Sequence, residues 1–136
     1  MPKKRNPKGR SVNNKGRNKH DPQFLALPYT MLQSAAWRAL SGPSVKVFLE
    51  IRTGYHGHNN GELSLSYQRA ADLLGVSKST VKRAFDELTE KGFIRLARQG
   101  QWYGRLAAEY ITTDKSYKGD LPTNDWKNWR PPKVKR

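Results

Sequence analysis

SYQRAADLLGVSKSTVKRAFDELTEKG, residues 66 to 92, contains two apolar clusters at helical spacing, separated by one glycine. In the first, Ala70, Ala71, Leu73 and Leu74 follow Ser66, whose hydroxyl can cap the first free backbone N–H groups of a helix of about two turns. Gly75 then supplies the left-handed backbone position on which helices commonly end. Ser77 restarts the chain as the cap of a second helix with an apolar stripe of Val81, Ala84, Phe85 and Leu88, spaced i, i+3, i+4 and i+7. This helix is expected to end at Gly92. Two helices joined so tightly cross steeply only if the side chains at the crossing are small, and Ala71 and Ala84 are. An ordinary helical hairpin within a core would show part of the same pattern.

The chain of 136 residues has 26 Lys and Arg against 11 Asp and Glu, for a formal net charge of +15 and a sequence pI near 10.3. That length suits one domain with a single small core. The charge points to a polyanionic partner, with nucleic acid first among them. No apolar run approaches the ~18 residues of a membrane span and no h-region follows the basic N-terminus, so no membrane partner is expected and the protein is read as unsecreted. Without cysteine, disulfides and thiolate metal sites are excluded, which fits a reducing cytoplasm.

Upstream of the paired helices, residues 1–21 form a basic arm. Its first 20 residues hold eight Lys or Arg, no acid and almost nothing apolar, and are expected to be disordered. Lys3, Lys4, Arg5, Lys8 and Arg10 are the candidates for following phosphates, and a solubilising tail is the alternative. Order is expected from Pro22, where Phe24, Leu25, Leu27, Tyr29, Met31 and Leu32 are apolar enough for a core, while Pro22 and Pro28 argue against a helix. Ser34 can cap a short helix carrying Trp37. Ser41 can cap a longer one with Pro43 in its first turn and Val47, Phe48, Ile51 and Tyr55 on one face. The polar stretch GYHGHNNGE, residues 54 to 62, reads as a loop in which His56 and His58 are solvated rather than metal ligands. Leu63 and Leu65 alternate with serines as a short strand.

Downstream, Phe93 to Arg98 and Arg105 to Thr113 alternate loosely around Gln99-Gly100-Gln101-Trp102-Tyr103-Gly104, the pattern of a β-hairpin with a glycine-bounded tip. Residues 114–136 form an irregular extension. There Thr123 would cap one turn presenting Trp126 and Trp129 on a shared face, and a basic tail follows. Both tryptophans are read as anchors onto the core, with base stacking as the alternative.

A strand, two helices around a glycine and then a hairpin give an α+β fold that resembles the winged helix-turn-helix, a helical bundle with a C-terminal β-hairpin wing, over residues 22–113. LSLSYQRAADLLGVSKSTVKRAFDELTEKGFI, residues 63 to 94, is similar to the DNA-binding modules of small phage and plasmid-type replication and regulatory proteins. The resemblance implies double-stranded DNA as partner, with the second helix in the major groove and the wing against the backbone or minor groove.

Facing away from the apolar stripe are Lys78, Ser79, Thr80, Lys82, Arg83 and Asp86. Lys78, Ser79 and Arg83 are the choices for base readout, Thr80 and Lys82 for phosphate, and the helix N-terminus adds free N–H groups. Asp86, Glu87 and Glu90 would repel phosphate and confine contact to the first two turns. On the wing the candidates are Arg98, Gln101, Trp102, Tyr103 and Arg105.

The expected function is sequence-specific double-stranded DNA binding, as a bacterial or phage transcriptional regulator in the cytoplasm with the nucleoid. A replication initiator is the alternative, and a structural RNA-binding component of a ribonucleoprotein is the alternative of another class. No catalysis, metal or cofactor is expected, because Glu62, Asp72, Asp86, Glu87 and Glu90 read as helix surface rather than a metal cluster. A homodimer, or another protein of the transcription or replication machinery, stays open as a further partner.

Overall fold

A computed structural model describes residues 22–101 and 106–133. Its helices are α1 (Tyr29–Leu32), α2 (Ala35–Arg38), α3 (Gly42–Thr53), α4 (Tyr67–Leu74) and α5 (Lys78–Glu90). Four of them begin on serine. The hydroxyls of Ser34, Ser41, Ser66 and Ser77 accept from the backbone N–H of Trp37, Ser44, Arg69 and Thr80 at 3.1, 3.4, 3.1 and 3.2 Å. Each such cap is worth about 1 kcal/mol and sets where its helix starts.

At the N-terminal end a helical turn forms where Pro22 and Pro28 argue against one. Pro28 occupies the N-cap of α1 in extended backbone, where its missing N–H costs nothing, and a single helical turn follows it. One turn directs few side chains inward: Met31 is fully buried, whereas Phe24 and Tyr29 are 82% and 80% exposed.

Between α4 and α5, Gly75 adopts φ 67° and ψ 36°, and its N–H donates to Ala71 at 2.9 Å. Val81, Ala84, Phe85 and Leu88 are all buried, and α5 packs against α3 and α4. Two aromatic groups fix α5 in place. Phe85 lies between Tyr67 and Tyr110, with ring centroids 5.2 and 5.1 Å away, and Trp37, Phe48 and Phe93 meet edge to face at 5.7 Å. The helix closes through Phe93 N–H to Leu88 and Gly92 N–H to Thr89, at 2.9 and 3.2 Å, with Gly92 at φ 84°.

Strands β1 (Ile94–Arg98) and β2 (Glu109–Thr112) pair antiparallel, Ile94 opposite Thr112 and Leu96 opposite Tyr110, with an irregularity before Arg98. The expected strand at Leu63 contracts to one bridge to Tyr110, because Glu62 ends a turn and Ser66 already caps α4. Past β2, a 3₁₀ turn covers Asp125–Asn128. Thr123 does not cap it. Asn124 precedes the turn in left-handed backbone, which Asn tolerates better than most residues, and no side chain caps the turn. Trp126 is 3% exposed and stacks on Phe93 at 6.5 Å and 7°, while Trp129 lies half-buried under the Lys91 ammonium at 4.9 Å.

Two polar ties hold α3 and the loop after it to the end of β2 and the chain beyond. Asn60 donates to the carbonyls of Thr112, Lys115 and Ser116 and accepts from Thr112 N–H. Arg52 meets Asp114 at 3.1 Å, both side chains nearly inaccessible, and also donates to the Ala26 carbonyl at 3.1 Å.

Candidate nucleic-acid interface

The site is the face of α5 turned away from the core. Because the apolar stripe takes Val81, Ala84, Phe85 and Leu88, helical geometry directs Lys78, Ser79, Lys82, Arg83 and Asp86 outward, and all five are exposed. Thr80 is half-buried at the edge of this face. Its hydroxyl lies 2.9 Å from that of Ser77 and accepts from the Arg83 guanidinium at 3.4 Å, so it touches the arginine at its tip. The Ser79 hydroxyl is 3.0 Å from Ser77, which gathers three hydroxyls at the N-terminus of a 13-residue helix. Ser77 takes the Thr80 N–H, and the remaining free N–H groups and the partial positive charge lie at that end of the helix, along its axis.

The acids of α5 separate into two groups. Asp86 stays on the outer face and holds the Lys82 ammonium at 3.0 Å, and that hydrogen bond and its charge raise the lysine pKa. Glu87 turns toward α3 and accepts from the Ser41 N–H at 2.7 Å. Its desolvation is outweighed by hydrogen bonds from Ser41 and Ser44 and by the Lys91 charge, so its pKa falls below the ordinary carboxylate value. Lys91 also draws Glu90 to 3.7 Å. Of the three acids expected to repel phosphate, Glu87 is thereby withdrawn, Asp86 is paired with Lys82, and Glu90 stays exposed at the C-terminal end of the helix. Behind it, burial first, then Tyr67 and the Asp86 charge, push the Tyr110 phenol up to about 12.

On the wing, Arg98 is in hydrogen-bond contact with the Glu109 carboxylate and reaches the Ala107 carbonyl at 3.4 Å, which ties it to the opposite strand. Gln101 is exposed, and its backbone pairs with Leu106 in both directions at 2.9 and 3.0 Å. Trp102, Tyr103 and Arg105 lie outside the described residues, as do Lys3, Lys4, Arg5, Lys8 and Arg10. Neither carboxylate partner was read from sequence. For Lys82 and Asp86 the i, i+4 spacing was the available signal. For Arg98 and Glu109 it depended on the hairpin register.

Of the acids weighed for metal chemistry, Glu62 lies in a turn rather than on a helix, and Asp72 accepts from Gln68 at 2.8 Å. Among the described residues no three His, Cys, Asp or Glu are grouped to hold a metal, and no helix is long and apolar enough to cross a membrane. His56 and His58 are both exposed in their loop.

Residues 64–95 match the family model of winged helix-turn-helix DNA-binding domains, a span running from the residues before α4 through α5 into β1. The chain carries a winged helix-turn-helix DNA-binding domain. No curated protein and no solved structure matches it. This domain supports DNA binding, and in its fold α5 takes the position of the recognition helix and the β1–β2 hairpin that of the wing.

Proposed function

We propose that the protein recognises a particular sequence of double-stranded DNA through the outer face of α5 and regulates transcription by occupying that site, without catalysis. The observation that carries this reading is the clean division of α5, whose buried stripe leaves Lys78, Ser79, Lys82 and Arg83 exposed over the first two turns. Lys78, Ser79 and Arg83 reach base edges, with arginine able to grip guanine through two bonds, while Lys82 serves the backbone. Thr80 acts through Arg83 as well as toward phosphate. Arg98, Gln101, Trp102, Tyr103 and Arg105 contact DNA from the wing, and the arm adds sequence-independent affinity. Occupying a promoter needs only a bound domain that excludes other proteins from the groove, which favours a regulator over an initiator that must also open DNA.

Selection of bound fragments from random duplex DNA tests the reading. Enrichment of one site, palindromic if two copies bind together, is the expected result. Tandem copies of the site would favour origin marking. Equal retention of all sequences, or tighter binding to structured RNA at the same salt, would overturn sequence-specific DNA recognition.

A further inference from the structure

Asp86 stands where an acid is hard to explain by stability. It is exposed on the outer face of α5, in line with Ser79, Lys82 and Arg83 at spacings of seven, four and three residues. It follows Lys82 in the less favourable order for an i, i+4 pair. Such an exposed pair contributes little to stability, because water screens it. Of the helix's other acids, Glu87 turns off this face toward Ser41, and Glu90 shares the face but stands one turn farther on, at the C-terminal end, 3.7 Å from Lys91. Asp86 is thus the acid nearest the Lys78, Ser79, Lys82 and Arg83 group, with one carboxylate oxygen on Lys82.

Near DNA an isolated carboxylate is repelled by phosphate. Lys82 at 3.0 Å offsets that repulsion and leaves Asp86 as a local hydrogen-bond acceptor. In the major groove the donors are the amino groups of cytosine and adenine, and adenine sets an acceptor beside its donor, which an aspartate cannot satisfy. Resting on the placement of α5 in the major groove, we propose that Asp86 is a specificity-determining residue whose carboxylate accepts a hydrogen bond from the exocyclic amino group of one cytosine in the bound site. Arg83 and Asp86 are three residues apart, about 4.5 Å along the helix, so this cytosine lies one or two base pairs from the position read by Arg83.

The test is random-duplex selection with the full chain, comparing the unaltered protein with Asp86→Ala, Asp86→Asn and Arg83→Ala. In the unaltered protein one position is expected to prefer cytosine by about tenfold. Asp86→Ala abolishes that preference and leaves the rest of the site intact. Asp86→Asn shifts it toward adenine, which an amide grips through two bonds. Arg83→Ala relaxes a neighbouring position instead. If both Asp86 variants bind every sequence more tightly and select the same site, the acid is only an electrostatic brake and the proposal is overturned while α5 readout stands. If the unaltered protein selects no site, the groove placement falls and this proposal falls with it.

Discussion

Arg52 with Asp114 and Lys82 with Asp86 are ion pairs of nearly the same length, 3.1 and 3.0 Å, in two very different places, and only the second is also a hydrogen bond. The first pair is 3% and 1% exposed and joins the end of α3 to the chain after β2; the second is 62% and 64% exposed on the outer face of α5. Burial decides what each can do. Out of water a charge without its partner is expensive, so Arg52 and Asp114 are committed to the fold. In water the attraction is screened and the partners exchange readily, so Lys82 and Asp86 remain available to a ligand. The protein keeps its strong charge pairing behind the interface and its weak pairing on it.

Breaking the buried pair should have the largest effect. Arg52→Ala strands the Asp114 carboxylate and is expected to cost about 3–5 kcal/mol in chemical denaturation. A loss no larger than that of a surface mutant would erase the contrast. Gly92→Ala comes next, since φ 84° disfavours any side chain and an added Cβ would sit 2.7 Å from the Asp125 carbonyl carbon. The backbone conformation alone should cost about 1–3 kcal/mol, read as a lowered Tm.

Glu87→Gln sharpens the comparison through pH, because Glu87 is intermediate in burial. Its pKa is lowered in the fold, so its charge contributes stability above the ordinary carboxylate range and loses it as pH falls through the folded value. The unaltered protein should exceed the variant in stability at neutral pH, and the gap should close in acid. A gap that widened in acid would reverse the sign. Lys82→Ala should have the smallest effect, leaving the denaturation midpoint unchanged within measurement, because its pair is solvated.

Legibility in the sequence followed the distance between partners. Gly75, the four serine caps and the stripe of α5 are local, so spacing alone placed them correctly, and the outward set of α5 followed by geometry. Arg52 and Asp114 stand 62 residues apart and nothing local marks them as partners. The stacking of Trp126 on Phe93 and the four bonds of Asn60 likewise depend on chain segments meeting in space. Phe24 and Tyr29 were misjudged because apolar composition in a single turn does not say which side chains point inward. At the site, exposure was foreseeable while partner choice was not: Arg98 reads as a free cation in sequence and is bound to Glu109 in the fold.

The most direct test of α5 as the reading surface measures Arg83→Ala against Arg98→Ala on the selected duplex and on random duplex at one salt concentration. Arg83 has no carboxylate partner among the described residues, is braced only by Thr80, and faces outward from the second turn. Its loss should weaken binding to the selected duplex by ~1–3 kcal/mol and spare random duplex, whereas loss of Arg98 should lower both alike. Equal weakening on both duplexes by Arg83→Ala would contradict base readout by α5 and reduce the arginine to a phosphate contact.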